Sequence, residues 1–509
     1  MDHSILEELI PKPLADFGDV KYFHKSSIEL AKKLRAIALR CSNRDIEEVL
    51  SLSEAYCGFL FLNQLGVLAD IKFEEAVADK VEKILSIKNS KKRAGVLHLT
   101  TSIYEFGGHS GVINRFLSEQ SGSSLAVLGA ASKTVRDQLP ESIKIYQNLK
   151  KQSGIQTIKS ILEIGEGYES IVIHLDSTDI YSAVAAILLR RKGVKIYAYN
   201  HADHVFGVGY AAADIVFEIS KLGWINGERR GIANKQSFVG IPVESENMLN
   251  KLDNSRGERI LITGDQEKFN PMAGYDIAKV LNRIFEDDIF KENYLITVCG
   301  TTGTKSHWKK LSAGIRSKIN FTGRVEYKKF QELLSKTTLY IDSFPLANGS
   351  AFPQAVARGI PAFGLNLYAG YSCTDVLRSA SIGELLKSLK QYARYPEVHL
   401  AKTMELRDQL VKEQSKEACM TRMNIAMNQK VKTNLPPSMS TIACNHLFFE
   451  ERWQLNGEIS IPFGLMKKLS LKSLMMLFIP LIKTVPYIKV NFLTLAKKYF
   501  NLDRLFENK

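Results

Sequence analysis

Several features are scarce in this 509-residue chain, and each absence excludes a class of protein. Its six cysteines stand at 41, 57, 299, 373, 419 and 444, far apart and with no C-x-x-C pair. That spacing argues against a disulfide scaffold or a cysteine-bound zinc module, and predicts reduced thiols in the cytoplasm. No uncharged apolar run approaches the ~20 residues needed to span a bilayer. The N-terminus, MDHSILEELIPKP, carries acidic residues where a secretory signal would have a basic segment and an apolar core. What is abundant is ordinary: 45% hydrophobic and 24% charged residues describe a globular protein of two or three domains with ample core. The charge is less ordinary. The chain is formally +14, and half of that excess falls within 461–509. A basic tail on a near-balanced body points to an anionic surface as partner, and away from nucleic acid.

Residues 1–93 read as helical, with apolar spacing from Ser27 to Leu39 and from Ile46 to Leu65, and Lys91-Lys92-Arg93 closes them as a linker. From Ala94 the texture changes. Val96–Leu99, Ser124–Gly129, Ile143–Tyr146, Ser170–Leu175, Lys195–Tyr199 and Ala213–Ser220 read as strands, with helices such as Ala183–Lys192 between them. Such alternation predicts a parallel sheet covered on both faces. The first strand runs into Gly107-Gly108-His109-Ser110-Gly111 and a helix at about 112–119. These glycines are not spaced G-x-G-x-x-G, so a dinucleotide site is poorly supported, although glycine at such a turn admits a ligand close to the backbone. The strand Lys195–Tyr199 ends in Asn200-His201-Ala202-Asp203-His204. Ligands in open α/β sheets sit beyond the carboxyl ends of strands, and imidazole next to carboxylate is an acid–base set. His201 and His204 could also offer two nitrogens to a metal, but no third ligand is evident; a structural role is a further reading. Arg229 and Arg230, in a Gly-containing loop, can fork onto a diphosphate or simply face solvent.

The second half repeats the pattern. Arg259–Thr263 is a strand followed by Gly264 and Lys268, then a helix at about 272–286. Tyr294–Cys299 ends in Gly300-Thr301-Thr302-Gly303-Thr304, whose hydroxyls suit a base or ribose. Ile319–Val325 contains Gly323-Arg324, and Glu326–Ser335 is helical. The chain is organised around LYIDSFPLANGSAFPQAVARGIPAFGL, residues 339–365. Here a strand ends at Asp342–Pro345, Asn348-Gly349-Ser350 forms a loop with Ser350 as helix N-cap, Pro353 fits the first turn, and Gly359 with Pro361 stops the helix before a strand to Leu365. Free amides at 349–352 and the helix dipole make an anion seat; an unliganded crossover fits the same pattern.

The order Asp, Pro, Gly, small hydroxyl residue, then Ala-x-x-x-Gly-x-Pro in this stretch resembles the nucleotide-sugar end of GT-B glycosyltransferases, especially the group of O-GlcNAc transferase and the bacterial cytoplasmic N-glycosyltransferases. The resemblance implies two Rossmann-like domains facing a cleft: 94–245 for the acceptor and 258–400 for the donor. Residues 1–93 would be a helical extension, 401–460 a helical return with a linker near Asn434–Pro437, and 461–509 a basic amphipathic tail. Val239–Val243 resembles the exit strand between the domains. By the same resemblance, Asn348, Gly349, Ser350 and Ala351 hold the donor diphosphate. Lys268 contacts the phosphates, Arg324 sits beside uracil, and Gly107, Gly108 and His109 border donor and acceptor. Gln354 stands where a Glu often binds the donor ribose, which departs from many members and favours inversion over retention.

Together these readings predict an inverting, metal-independent hexosyltransferase with no tightly bound cofactor. Its donor is a nucleotide-diphospho-sugar, here UDP-linked, and its acceptor a lipid-linked or surface glycan at the inner face of a bacterial membrane. His201 or His204, with Asp203, is the expected base. Lysines interleaved with Leu, Met and Phe in 461–509, broken into short helices by Pro480 and Pro486, suit an anionic membrane surface or an intramolecular helix. The alternatives are a nucleotide-sugar 2-epimerase of the same fold, and an inactive GT-B scaffold at the membrane.

Overall fold

A computed structural model describes residues 20–85, 94–105, 108–119, 122–244, 258–272, 274–368, 370–456 and 458–487. Gly107, the N-terminal residues 1–19, the Lys91–Arg93 linker and the tail lysines at 489, 497 and 498 lie outside these residues.

Two parallel sheets dominate. In the first, β1 (Val96–Thr100), β2 (Ser124–Val127), β3 (Lys144–Tyr146), β4 (Ser170–His174), β5 (Lys195–Tyr199), β6 (Ile215–Glu218) and β7 (Gln236–Phe238) lie in the order β3-β2-β1-β4-β5-β6-β7. In the second, β8 (Glu258–Thr263), β9 (Tyr294–Cys299), β10 (Ile319–Gly323), β11 (Leu339–Asp342), β12 (Ala362–Leu365) and β13 (Arg378–Ser379) lie in the order β10-β9-β8-β11-β12-β13. Every strand pair is parallel; β4, for example, sets Ile171 beside Leu97 of β1 and Ile196 of β5. Helices cover both faces, so the central strands are buried throughout. That is why they read as continuous apolar runs instead of alternating ones.

The N-terminal helices Val20–Arg40, Ile46–Leu62 and Ile71–Glu82 do not form a core of their own. Leu34, Phe59 and Val77 join Ile171 and Ile187 of the first lobe in one hydrophobic cluster. Buried polar groups pin the same junction. The Asp70 carboxylate caps Phe73 N–H and accepts from Arg35 at 2.7 Å and Tyr56 at 2.9 Å, and Glu74 Oε2 accepts the Gly209 N–H at 2.8 Å. Helix Pro396–Gln414 packs on the second lobe through Leu406 and Leu410. Helix Lys416–Asn424 then returns to the first, where Cys419, Met420 and Met423 pack with Phe217 and Val239.

Four expectations need correction. Val239–Val243 is not a strand: β7 lies just before it, and Gly240, at φ +84°, turns the chain out of the sheet. The helix expected from 272 begins at Ile277, capped by the Asp276 carboxylate. Pro480 does not break the tail, because Leu471–Thr484 runs through it as one helix; proline forfeits one backbone bond there, and packing against helix Val20–Arg40 holds the rest. Around 434–437 the chain is not a free linker. The Phe238 N–H donates to Thr433 O at 2.8 Å, and Met439 is buried with Phe238.

Candidate functional site

The carboxyl ends of both sheets open on one cleft, a cavity of about 430 Å³. Its first wall carries Gly108, His109 and Arg115 from helix Gly108–Leu117, and Tyr199, His201, Asp203 and His204 from the end of β5. Its second wall carries Gly264, Asp265 and Lys268 after β8, Gly300 after β9, Arg324 after β10, and Asn348, Gly349, Ser350, Ala351 and Gln354 after β11. The walls approach closely: a Cβ added at Gly108 would lie 3.0 Å from Ser350 Oγ. Gly300, at φ +101°, passes so near Gly264 O that a Cβ would lie 2.0 Å away. No larger residue fits there.

Asp203 serves His204 and not His201. Its Oδ1 is 2.7 Å from His204 Nδ1, and its Oδ2 accepts from Ser220 Oγ at 2.6 Å. A carboxylate so held keeps the proton on Nδ1 and leaves Nε2 as the basic nitrogen. His201 instead contacts another histidine, with His174 Nδ1 at 2.9 Å from His201 Nε2. Burial pushes His174 and His201 well below the usual imidazole range, His201 further through neighbouring His109. Burial also lowers His109. His201 and His204 turn to different partners, and among the described residues no group of three His, Cys, Asp or Glu is placed to hold an ion.

Lys268 is half-buried and donates to Ala347 O at 3.0 Å; burial lowers its pKa, and Asp342 opposes the shift. The 348–351 turn is held from below. Arg378 pairs with Asp342 and with Asp375 (2.6 Å to the latter), and donates to Asn348 O at 3.2 Å, while Asp342 accepts the Asn348 N–H at 3.0 Å. All three ionic side chains are fully buried. Ser350 stands at the N-cap position as expected, but its hydroxyl makes no capping bond. Asn348 Oδ1 accepts from Ser350 N at 3.3 Å and Ala351 N at 3.1 Å, so those two amides are already engaged. The anion seat therefore shrinks, on a helix of seven residues, Ala351–Ala357.

The other predicted residues have partners that the sequence did not show. Arg229 does not line the cleft; it donates to Gly66 O, to Asn226 and to the Glu450 carboxylate, tying the N-terminal helices to helix Phe448–Asn456. Thr301 is buried; its hydroxyl donates to Gln266 of the segment after β8 and accepts the Gly303 N–H, so it is already engaged. Arg324 lines the cleft beside Asp265, at 2.6 Å. Gln354 is buried against the crossover, where both of its amide atoms bond the backbone of Glu244. Arg115, not foreseen, bridges the lobes: Nε lies 3.1 Å from Glu244 Oε1, and Nη2 donates to Tyr327 OH at 3.1 Å. His98, His174, Ser220 and Arg378 were also missed. A histidine inside VLHLT or at the end of SIVIH is the readable signal, since a buried imidazole needs a partner.

No family model matches the chain, and no curated protein matches it in sequence. Solved structures do match in fold. A glycosyltransferase from Rickettsia africae superposes with a TM-score of 0.52 at 13% identity, over 67% of this chain and 99% of that one. HepE from Anabaena, solved with UDP and glucose, gives 0.49 at 12%, over 65% and 98%. An O-GlcNAc transferase mutant from Thermobaculum terrenum gives 0.42 at 9%, over 79% and 83%. With two parallel α/β lobes facing one cleft, the chain has the GT-B fold.

Proposed function

We propose that this chain is an inverting glycosyltransferase. It moves a sugar from a UDP-linked donor to a lipid-linked or surface glycan. The observation that carries this reading is the cleft itself: an Asp-backed imidazole on one wall faces a lysine and a glycine-rich turn on the other. The acceptor hydroxyl attacks the anomeric carbon, its proton passes to His204 Nε2, and the bond to the diphosphate breaks. Lys268, with amides left free near Gly349, meets the charge that develops on the leaving UDP, a role that a metal ion plays in other enzymes. Gly300 and Arg324 border the nucleoside, and Gly108 and His109 border the acceptor. The domain division runs 94–245 and 258–400, with 1–93, 401–460 and 461–509 as accessory segments.

We place the enzyme on the inner face of the cell membrane. No helix among the described residues is long and apolar enough to cross one. Helix Leu471–Thr484, however, buries Ser473, Leu477, Pro480 and Thr484 inward and exposes Leu471, Met475, Phe478, Ile479 and Ile482 on the opposite side. Lys467 and Lys472 flank that apolar stripe, while Lys468 and Lys483, also beside it, pair with Glu54 and Glu29. This is the pattern of a helix lying in an anionic interface.

The test is a thermal-shift screen against UDP-, GDP-, CMP- and dTDP-sugars, followed by UDP-release assays on the hit. At ~100 times its dissociation constant a bound donor adds roughly 2.7 kcal/mol. UDP-sugar binding with turnover that collapses in His204→Ala is the expected result. Full turnover in that variant removes His204 as the base, and binding without turnover towards any acceptor favours the inactive scaffold.

A further inference from the structure

Three adjacent strands of the first sheet each deliver a histidine to one row. His98 lies within β1, His174 ends β4, and His201 follows β5. His98 Nδ1 is 3.0 Å from His174 Nε2, and His174 Nδ1 is 2.9 Å from His201 Nε2. The two inner rings are fully buried, and the outer one lines the cleft. A neutral imidazole has one N–H and one lone pair. In this N–H···N row His174, which uses both nitrogens, must therefore donate on one side and accept on the other. The sense of one bond fixes the sense of all, and His201 Nδ1 is the ring nitrogen left for the cleft.

Such a row is a poor place for a charge. The groups facing His201 are His174, His109 and Tyr199, with Asp176 facing His109. The Tyr199 hydroxyl is committed to Gly240 O at 2.6 Å. Among the described residues, no carboxylate is hydrogen-bonded to His174 or His201 as Asp203 is to His204. Burial lowers His174 and His201, so neutrality is the resting state of both.

We propose that His98 and His174 are positioning residues that hold His201 in one neutral tautomer, so that His201 meets the donor's hydroxyl or phosphate oxygens as an uncharged hydrogen-bonding group and not as the base. The donor contact rests on the function proposed above; the tautomer lock does not. The two histidines after β5 thus divide the work, one fixed and neutral, the other backed by a carboxylate and free to take a proton.

The experiment is a two-bond proton–nitrogen correlation spectrum of the full chain, labelled with ¹⁵N-histidine, recorded without donor between about pH 5.5 and 8. Ring signals are assigned by loss in His174→Asn and His201→Gln. The expected result is a single-tautomer pattern for His201, unchanged across that range. In His98→Phe, which removes the inner nitrogen, His201 should show averaged signals, and KM for the donor should rise about tenfold, the scale for losing a supporting contact to a site residue. A wild-type His201 that gives averaged signals, or titrates near the ordinary value of about 6.5, overturns the proposal. If His98→Phe does not fold, the wild-type spectrum decides alone. If the lock is seen but no UDP-sugar binds, the proposed function fails and the lock stands.

Discussion

Gln354 holds the backbone of Glu244 in both directions. The Glu244 N–H donates to Gln354 Oε1 at 3.1 Å, and Gln354 Nε2 donates to Glu244 O at 2.8 Å. The side chain that departs from the GT-B pattern is therefore a clamp between the second lobe and the crossover. A carboxylate could make only the first of these bonds and would set its charge against the Glu244 carbonyl. Gln354→Glu should cost about 1–3 kcal/mol at pH 7, the scale of a buried acceptor left without its donor. The loss should shrink as pH falls towards the carboxyl range, because a protonated carboxyl can donate again. Urea unfolding at two pH values checks this. Equal stability of variant and wild type at pH 7 would mean that the clamp contributes nothing.

Lys268 is a cleft-lining cation held by its own, second lobe. It follows β8, reaches Ala347 O across the turn that carries Asn348 and Gly349, and lies near buried Asp342. Lys268→Ala should slow UDP release by about 10²-fold, the scale of one lost charge-stabilising contact in a transition state. The loss in folding stability should be only about 1 kcal/mol, one net hydrogen bond. Turnover at the wild-type rate, measured with saturating donor, would take Lys268 out of the mechanism.

The two sheets were readable because parallel strands buried on both faces leave uninterrupted apolar runs, and Gly or Asp-Pro punctuation marks their ends. The cleft followed from topology, since strand ends collect ligands. The failures share a cause: a charged or polar side chain does not announce its partner. Asp203 lies two residues from His201 and one from His204, and only the fold gives it to the latter. Arg229 reads as a phosphate ligand until Glu450, more than two hundred residues away, is folded beside it. Ser350 is an apt cap by type, but Asn348 reaches its amides first. Arg378 has Asp375 three residues before it, but its second buried partner, Asp342, comes beside it only in the fold, as His174 comes beside His98.

Glu74 predicts how stability depends on pH. It is buried where helix Ile71–Glu82 meets the first lobe, and burial raises its pKa to about 8, against an ordinary 4.5. Between those values the folded chain keeps a proton that the unfolded chain releases. This group therefore makes stability fall as pH rises through the window, by at most about 1.4 kcal/mol per unit. Glu74→Gln keeps an acceptor for the Gly209 N–H and has no proton to lose. Its unfolding free energy, followed by urea titration from about pH 5 to 8, should be flatter than that of the wild type and higher at the upper end. Parallel curves would show that Glu74 is ionised in the folded protein.

The outward face of helix Leu471–Thr484 makes the membrane assignment testable without disturbing the fold. Phe478 and Ile479 are 60% and 66% exposed, so changing them to aspartate removes no core contact. Fully burying a side chain of this size contributes about 1.5–3 kcal/mol, and the pair lies at the centre of the stripe. Added negative charge would also oppose the attraction of the neighbouring lysines to anionic headgroups. The double variant Phe478→Asp, Ile479→Asp should lose at least about tenfold in co-sedimentation with vesicles containing phosphatidylglycerol, with its melting temperature unchanged. Wild-type binding should weaken as salt is raised, because the electrostatic part is screened. A wild-type chain that stays in the supernatant with such vesicles, or a variant that sediments equally, would mean that the stripe serves another partner.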